Sequence, residues 1–192
     1  MGVAFNFFLQ MINTYGPIWM IGQAFGIVAI VLGFLTYQTH TQAKLILLQT
    51  LTALSFCIHY GLLGAYAGMA ANLIVIVRNT VYDYRLKRNL EGKRIPILFV
   101  ALQVLVGILM GEAWYSLFII LGIGINSYFM SLKNAQTVRW SILVSSPCVL
   151  IYDLFARSIG GTIFETVAVI SALIGILRYR KHTKKDLTDP AT

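Results

Sequence analysis

ANLIVIVRNTVYDYRLKRNLEGKRIPILFVALQVLVGILMG, residues 71–111, is the stretch whose reading decides how this chain folds. An apolar run closes on Arg85, Lys87, Arg88, Lys93 and Arg94, and a second apolar run follows at once. Arg and Lys concentrate in the short loops that face the cytoplasm. This loop therefore fixes one side of a membrane and makes the two runs beside it antiparallel spans. Working outward in both directions, apolar runs predict spans at 18–37, 44–64, 66–84, 95–111, 113–131, 138–156 and 159–179. The expected fold class is an all-α polytopic membrane protein of seven transmembrane helices.

Composition agrees with that reading. Of 192 residues, 58% are hydrophobic and 11% charged, whereas a soluble domain carries about 25% charged residues. Seven spans of about 20 residues need roughly 140 residues, which leaves short loops and no second, soluble domain. The net charge of +8 is not the mark of a nucleic-acid partner, because the basic residues sit in short loops between apolar runs. Arg178, Arg180, Lys181, Lys184 and Lys185 follow the seventh span, and Lys44, Lys133 and Arg139 flank the loops after the first and fifth. Seven spans put all of these on one side, with Arg157 alone on the other. The N-terminus is then outside and the C-terminus cytoplasmic. Trp19, Tyr66, Trp114 and Tyr152 are expected to mark one interface, and Tyr37, Tyr84, Trp140 and Tyr179 the other.

The ends are less apolar in purpose. Residues 1–17 lack the basic start of a secretory signal, and 3–14 read as a short interfacial or lead-in helix. Gly2 invites a myristoylation reading, but Asn6 stands where that motif wants Ser or Thr. The tail 181–192 reads as a solvated end attracted to anionic lipid. Cys57 and Cys148 fall inside spans and read as small buried residues, not a disulfide or a metal site.

The chain also resembles itself. Gly22 to Arg85 and Ile119 to Arg178 each read as helix, basic loop, helix, short turn and a third helix ending in basic residues. An offset of 93 sets Gly68 on Gly161, Asn72 on Glu165 and Arg85 on Arg178. The expected organisation is 3+1+3: a first three-helix bundle at 18–84, a basic loop and linker helix at 85–112, and a second bundle at 113–180. An odd linker keeps the two halves parallel.

Three strings carry a family resemblance: GIVAIVLGFLTYQT (26–39), IHYGLLGAYAG (58–68) and SIGGTIFETVAVISALIGILRY (158–179). With Arg78, they resemble the YgjV family of bacterial inner-membrane proteins, from about Gly22 to Arg180. That family is similar, more distantly, to the SWEET and PnuC-type carriers of sugars and vitamin precursors. The resemblance implies the three–one–three arrangement and a solute held by a polar side chain from the third helix of each half, here Asn72 and Glu165. Those carriers hinge at prolines in several helices and show a Pro-Gln pair; here Pro147 is the one mid-span proline, and no Pro-Gln occurs.

Ionisable groups inside a bilayer are costly, so they usually face a bundle interior. Glu165 either faces a cavity, binding a cationic or hydroxyl-bearing solute or carrying a proton, or caps the start of its helix. Asn72 contacts solute or makes an interhelical hydrogen bond. Arg78 closes an inner gate or snorkels to the interface. His59 and Asp153 form an outer gate or are two interfacial polar residues. Asn126, Gln49 and Gln103 contact solute or pack. Pro147 is expected to bend its helix beside Ser145 and Ser146. The pairs Gly22/Gly26 and Gly107/Gly111 are close-packing devices, within a chain or between copies in a homo-oligomer.

No Ser-His-Asp set, zinc spacing or phosphate loop occurs, so an enzyme is not expected, nor a cofactor or metal. Two functions remain. One is a carrier or facilitator of a small polar metabolite, its two halves rocking about a midplane cavity. The other is a non-transporting membrane protein that binds or assembles a partner.

Overall fold

The computed structural model describes the backbone of residues 2–110, 113–132 and 134–188, and the side chains of 16–110, 113–132 and 134–179. Expectations on Gly2, Asn6, Gly111, Lys133 and the tail beyond Tyr179 concern side chains outside the described residues. The described residues form seven helices and no strand: α1 Gly2–Tyr37, α2 Gln42–Leu63, α3 Tyr66–Lys87, α4 Arg94–Met110, α5 Ser116–Met130, α6 Ala135–Phe155 and α7 Ile159–Thr188. Four stretches are long and apolar enough to cross a membrane: Gly16–Tyr37, Gln42–Leu63, Ala135–Phe155 and Ile159–Tyr179. α4 and α5 are shorter apolar helices. α3 has 22 residues but carries Arg78, Asp83, Arg85 and Lys87, which lowers its hydropathy.

Local chemistry sets the boundaries. α1 breaks at Gly16 (φ 77°, ψ 169°). The following Pro17 disfavours a helical residue before it, and glycine takes positive φ without strain. Thr41 and Asn134 cap α2 and α6 by accepting from Lys44 N and Gln136 N, as short oxygen-bearing side chains do at helix starts. The turns after α2 and α6 are alike. Gly64 (φ 75°) and Arg157 (φ 53°) are left-handed, and each turn closes by one backbone bond, Ala65 N to Tyr60 O and Ser158 N to Asp153 O, both 2.9 Å. This is the helix-ending motif that favours glycine. Arg157 holds it against the cost of its Cβ.

The helices make a ring. α1 packs on α2 and α7, α2 on α3, α3 on α5, α5 on α6, and α6 on α7. α4 lies outside this ring, against α3 and α5. The end where α3, α5 and α7 begin is called upper here, the opposite end lower. Glycines bring the helices close. A Cβ on Gly26 would lie 3.0 Å from Gly160 Cα, and one on Gly107 would collide with Ile120. Gly22 and Gly26 therefore serve contacts within the chain. The ring's outer face is apolar, with Ile27, Leu47, Val77, Leu121, Val144 and Leu177 exposed.

Three expectations need correction. Tyr37, Tyr152 and Tyr179 are buried rather than interfacial; the hydroxyls of Tyr152 and Tyr179 have backbone partners inside the bundle, Gly68 N and Gln38 O. Arg139 is not a loop charge. It is buried in the first turn of α6 and donates to the carbonyls of Tyr37 and Thr39, groups that the end of α1 leaves without intrahelical partners. Cys57 and Cys148 are half-buried, not buried.

Candidate functional site

The ring encloses a cavity of about 90 Å³. Every ring helix lines it and α4 does not. Its polar lining comes from α1 (Thr36), α2 (Gln49, Thr52), α3 (Asn72), α5 (Asn126), α6 (Ser145, Ser146) and α7 (Glu165). Glu165 is the one charged residue in the lining. Asn72, Asn126 and Glu165, the three residues expected to hold solute, are thus brought to one cavity. Glu165 is not a helix cap, because Ser158 fills that place, its hydroxyl accepting from Gly161 N at 2.9 Å. Asn72 donates from Nδ2 to the Gly68 carbonyl of its own helix, 2.9 Å away, rather than across to a neighbour.

The upper end is closed by side chains that reach across the ring. Tyr60 of α2 lines the cavity, and its hydroxyl donates to Asp153 Oδ1 of α6 at 2.6 Å. The Tyr152 hydroxyl of α6 accepts from Gly68 N at the start of α3, at 3.1 Å. His59 of α2 makes two contacts of 2.8 Å, Nδ1 to the Gly22 carbonyl and Nε2 to Ser158 Oγ at the start of α7. A carbonyl can only accept, so Nδ1 carries a proton. In the neutral ring Nε2 then takes the Ser158 proton. His59 and Asp153 are both fully buried and lie in this layer without bonding each other. A side chain at Gly161 would collide with Asp153 Oδ1 and Ser158 Oγ, so the layer needs glycine there.

Below the cavity lies Arg78, also fully buried. It does not snorkel. Its guanidinium donates to Asn79 Oδ1 (3.0 and 2.7 Å), Ser127 Oγ of α5 (2.6 Å) and Gln49 Oε1 of α2 (3.0 Å). Among the described residues no carboxylate pairs with it; Asp83 pairs with Lys87 on the exposed face of α3. Gln49 in turn donates from Nε2 to Asn126 Oδ1 at 2.9 Å. Two further links cross the ring at its lower end. Gln42 of α2 donates to the Met130 carbonyl of α5 (3.1 Å), and Arg139 of α6 to the Tyr37 carbonyl of α1 (3.0 Å).

Several residues of these links occupy positions 93 apart: His59 and Tyr152, Gly68 and Gly161, Tyr37 and Met130, and the bonded pair Tyr60 and Asp153. Of the other expected residues, Gln103 is buried on α4, away from the cavity. α6 continues as helix through Pro147, and Ser145 and Ser146 beside it line the cavity while Pro147 does not. Tyr60, Tyr152, Ser158, Gln42 and Arg139 were not singled out as site residues from sequence. The offset of 93 could have flagged Tyr60 and Tyr152, because it sets them against Asp153 and His59. Among the described residues no group of His, Cys, Asp and Glu could hold a metal ion.

The model of a family described as a bacterial inner membrane protein, Imp-YgjV, matches residues 20–183. The inner membrane protein YgjV of Escherichia coli (strain K12) is 21% identical over 172 residues, covering 90% of this chain and 91% of that protein. No solved structure gives a significant match.

Proposed function

We propose that this chain, which belongs to the Imp-YgjV family of bacterial inner membrane proteins and lies in that membrane as a multi-pass protein, is a carrier or facilitator of a small polar solute. The solute site is the central cavity, with Asn72, Asn126 and Glu165 as its contacts. Two three-helix halves, α1–α3 and α5–α7, flank it, and α4 is the linker that keeps them parallel. Their rocking exposes the cavity to one side and then the other. Arg78 with Gln49 and Ser127 is the inner gate; Tyr60 with Asp153, and His59 with Ser158, form the outer one. The N-terminus is outside and the C-terminus cytoplasmic.

The observation that carries this reading is the cavity itself: a largely apolar lining set with polar groups from every ring helix, and walled by three helices from each side of α4. An assembly subunit has no need of such a chamber. The link residues at an offset of 93, and the like turns at Gly64 and Arg157, support the two halves.

The test is a thermal-stability screen of the detergent-solubilised protein with amines, amino acids, sugars, nucleosides and vitamin precursors, followed by flux in proteoliposomes. A solute at 100 times its dissociation constant adds about 2.7 kcal/mol of apparent stability. We expect that shift to vanish in Glu165→Gln and Asn72→Ala. Flux equal to wild type in both variants overturns the assigned site. No shift and no flux for any solute, with a partner retained in mild detergent, overturns the carrier and favours the partner-binding reading.

A further inference from the structure

The cavity presents unlike groups at different depths. At its floor, Arg78 sets a chain of amide orientations. A guanidinium only donates, so it turns the Gln49 oxygen toward itself and leaves the Gln49 amino group facing Asn126. That amino group also only donates, so it takes the Asn126 oxygen, as the 3.0 and 2.9 Å contacts record. The Asn126 amino group is left over. Asn126 is 8% exposed, and its Nδ2 is buried with no partner among the described residues. A buried donor without an acceptor is costly, and this one belongs to a side chain that lines the cavity. Nearer the upper end the lining carries the Glu165 carboxylate and no cation. Glu165 is six residues into α7 and Asn126 ten residues into α5, so the donor sits about 6 Å deeper along the ring axis.

Resting on the reading of this cavity as a solute site, we propose that the solute is a small amine cation bearing a hydrogen-bond acceptor, its ammonium on Glu165 and its hydroxyl or carbonyl oxygen on Asn126 Nδ2. Size agrees. A cavity of about 90 Å³ is smaller than the roughly 150 Å³ that admits a benzene ring. It suits a short amino alcohol or amino amide and is too small for a sugar or nucleoside in this conformation. The Ser146 hydroxyl, buried in the same lining beside the Glu165 carboxyl, offers a second polar contact along the way.

The experiment uses the full chain in detergent with four matched probe series of two to five carbons: α,ω-amino alcohols, alkylamines, diols and ω-hydroxy acids. We expect thermal stabilisation by amino alcohols, at least about tenfold weaker binding of alkylamines and diols, and none of hydroxy acids. Glu165→Gln removes the preference for amino alcohol over diol. Asn126→Asp, close in shape, turns the floor from donor to acceptor and shifts preference to α,ω-diamines. The ligand-free melting temperature of each variant reports whether it folds, and the diamine gain is a signal that misfolding cannot produce. Equal binding of diols and amino alcohols, or binding of hydroxy acids, overturns the proposed class while leaving the carrier intact. So does stabilisation by other solutes with none from these probes. Silence from every solute, here and in the wider screen, overturns both.

Discussion

At the upper end of the cavity three side chains each reach across the ring: Tyr60 to Asp153, Tyr152 to the Gly68 amide, His59 to Ser158. At the lower end one guanidinium spreads four hydrogen bonds over three neutral side chains. Both arrangements hold polar groups out of lipid, but they fail differently. No upper link depends on a single shared cation, although Ser158 Oγ serves both His59 and the Gly161 amide. Loss of Arg78 strands Gln49, Asn79 and Ser127 together and frees the Gln49 amide to flip, which reverses the polarity of the cavity floor. The upper layer therefore joins helices through separate side chains, and the lower one joins α2, α3 and α5 through a single guanidinium that orients what lies above it.

The sharpest way to break this contrast is Arg78→Met. It leaves three acceptors unpaired in a buried layer, each costing about 1–3 kcal/mol, and we expect a loss of about 3 kcal/mol or more in detergent melts. Tyr60→Phe should cost less, about 2 kcal/mol. It removes one bond and leaves the buried Asp153 carboxyl without its phenol donor. Adding Asp153→Leu should recover part of that loss, and a double-mutant cycle reads the coupling. A Tyr60→Phe loss as large as that of Arg78→Met would erase the distinction between the two layers. Gln42→Leu, which uncovers only the Met130 carbonyl at the end of α5, should cost about 1 kcal/mol. Smallest, and opposite in sign, Arg157→Gly should gain about 0.5–1 kcal/mol by relieving a left-handed residue, bringing the α6–α7 turn to the chemistry of the α2–α3 turn. No gain there would mean that the Arg157 side chain earns its strained backbone by a contact of its own.

Much of the architecture was readable in the chain. Apolar runs closed by basic residues located most helix ends to within a few residues, because burial in lipid demands long apolar stretches and the loops are short, but α7 runs on to Thr188, past the expected end at 179. The three cavity residues were readable too, since an Asn or Glu amid apolar neighbours faces inward or pays heavily. What escaped was which polar groups meet. Arg139 resembles any loop arginine until α1 ends beside it. Tyr152 and Tyr179 resemble belt residues because the same amphipathic ring serves a lipid interface and a buried hydrogen bond. Arg78 could have snorkelled; only the convergence of Gln49, Ser127 and Asn79 from three helices holds it inside. Such choices are made by tertiary neighbours, which hydropathy does not encode.

The links that cross the ring also bear on how the chain is made. When the ribosome has released the first three helices, the Tyr37 carbonyl still waits for Arg139 and the Gly68 amide for Tyr152. Neither exists in the bilayer until α6 has been threaded in, about a hundred residues after α1. Up to that moment the early helices lack the cross-ring partners of their ends, and we expect them to be open to the proteases that clear unassembled membrane proteins. A nascent chain stalled at the linker should be short-lived, and supplying residues 113–192 as a separate polypeptide should prolong its life.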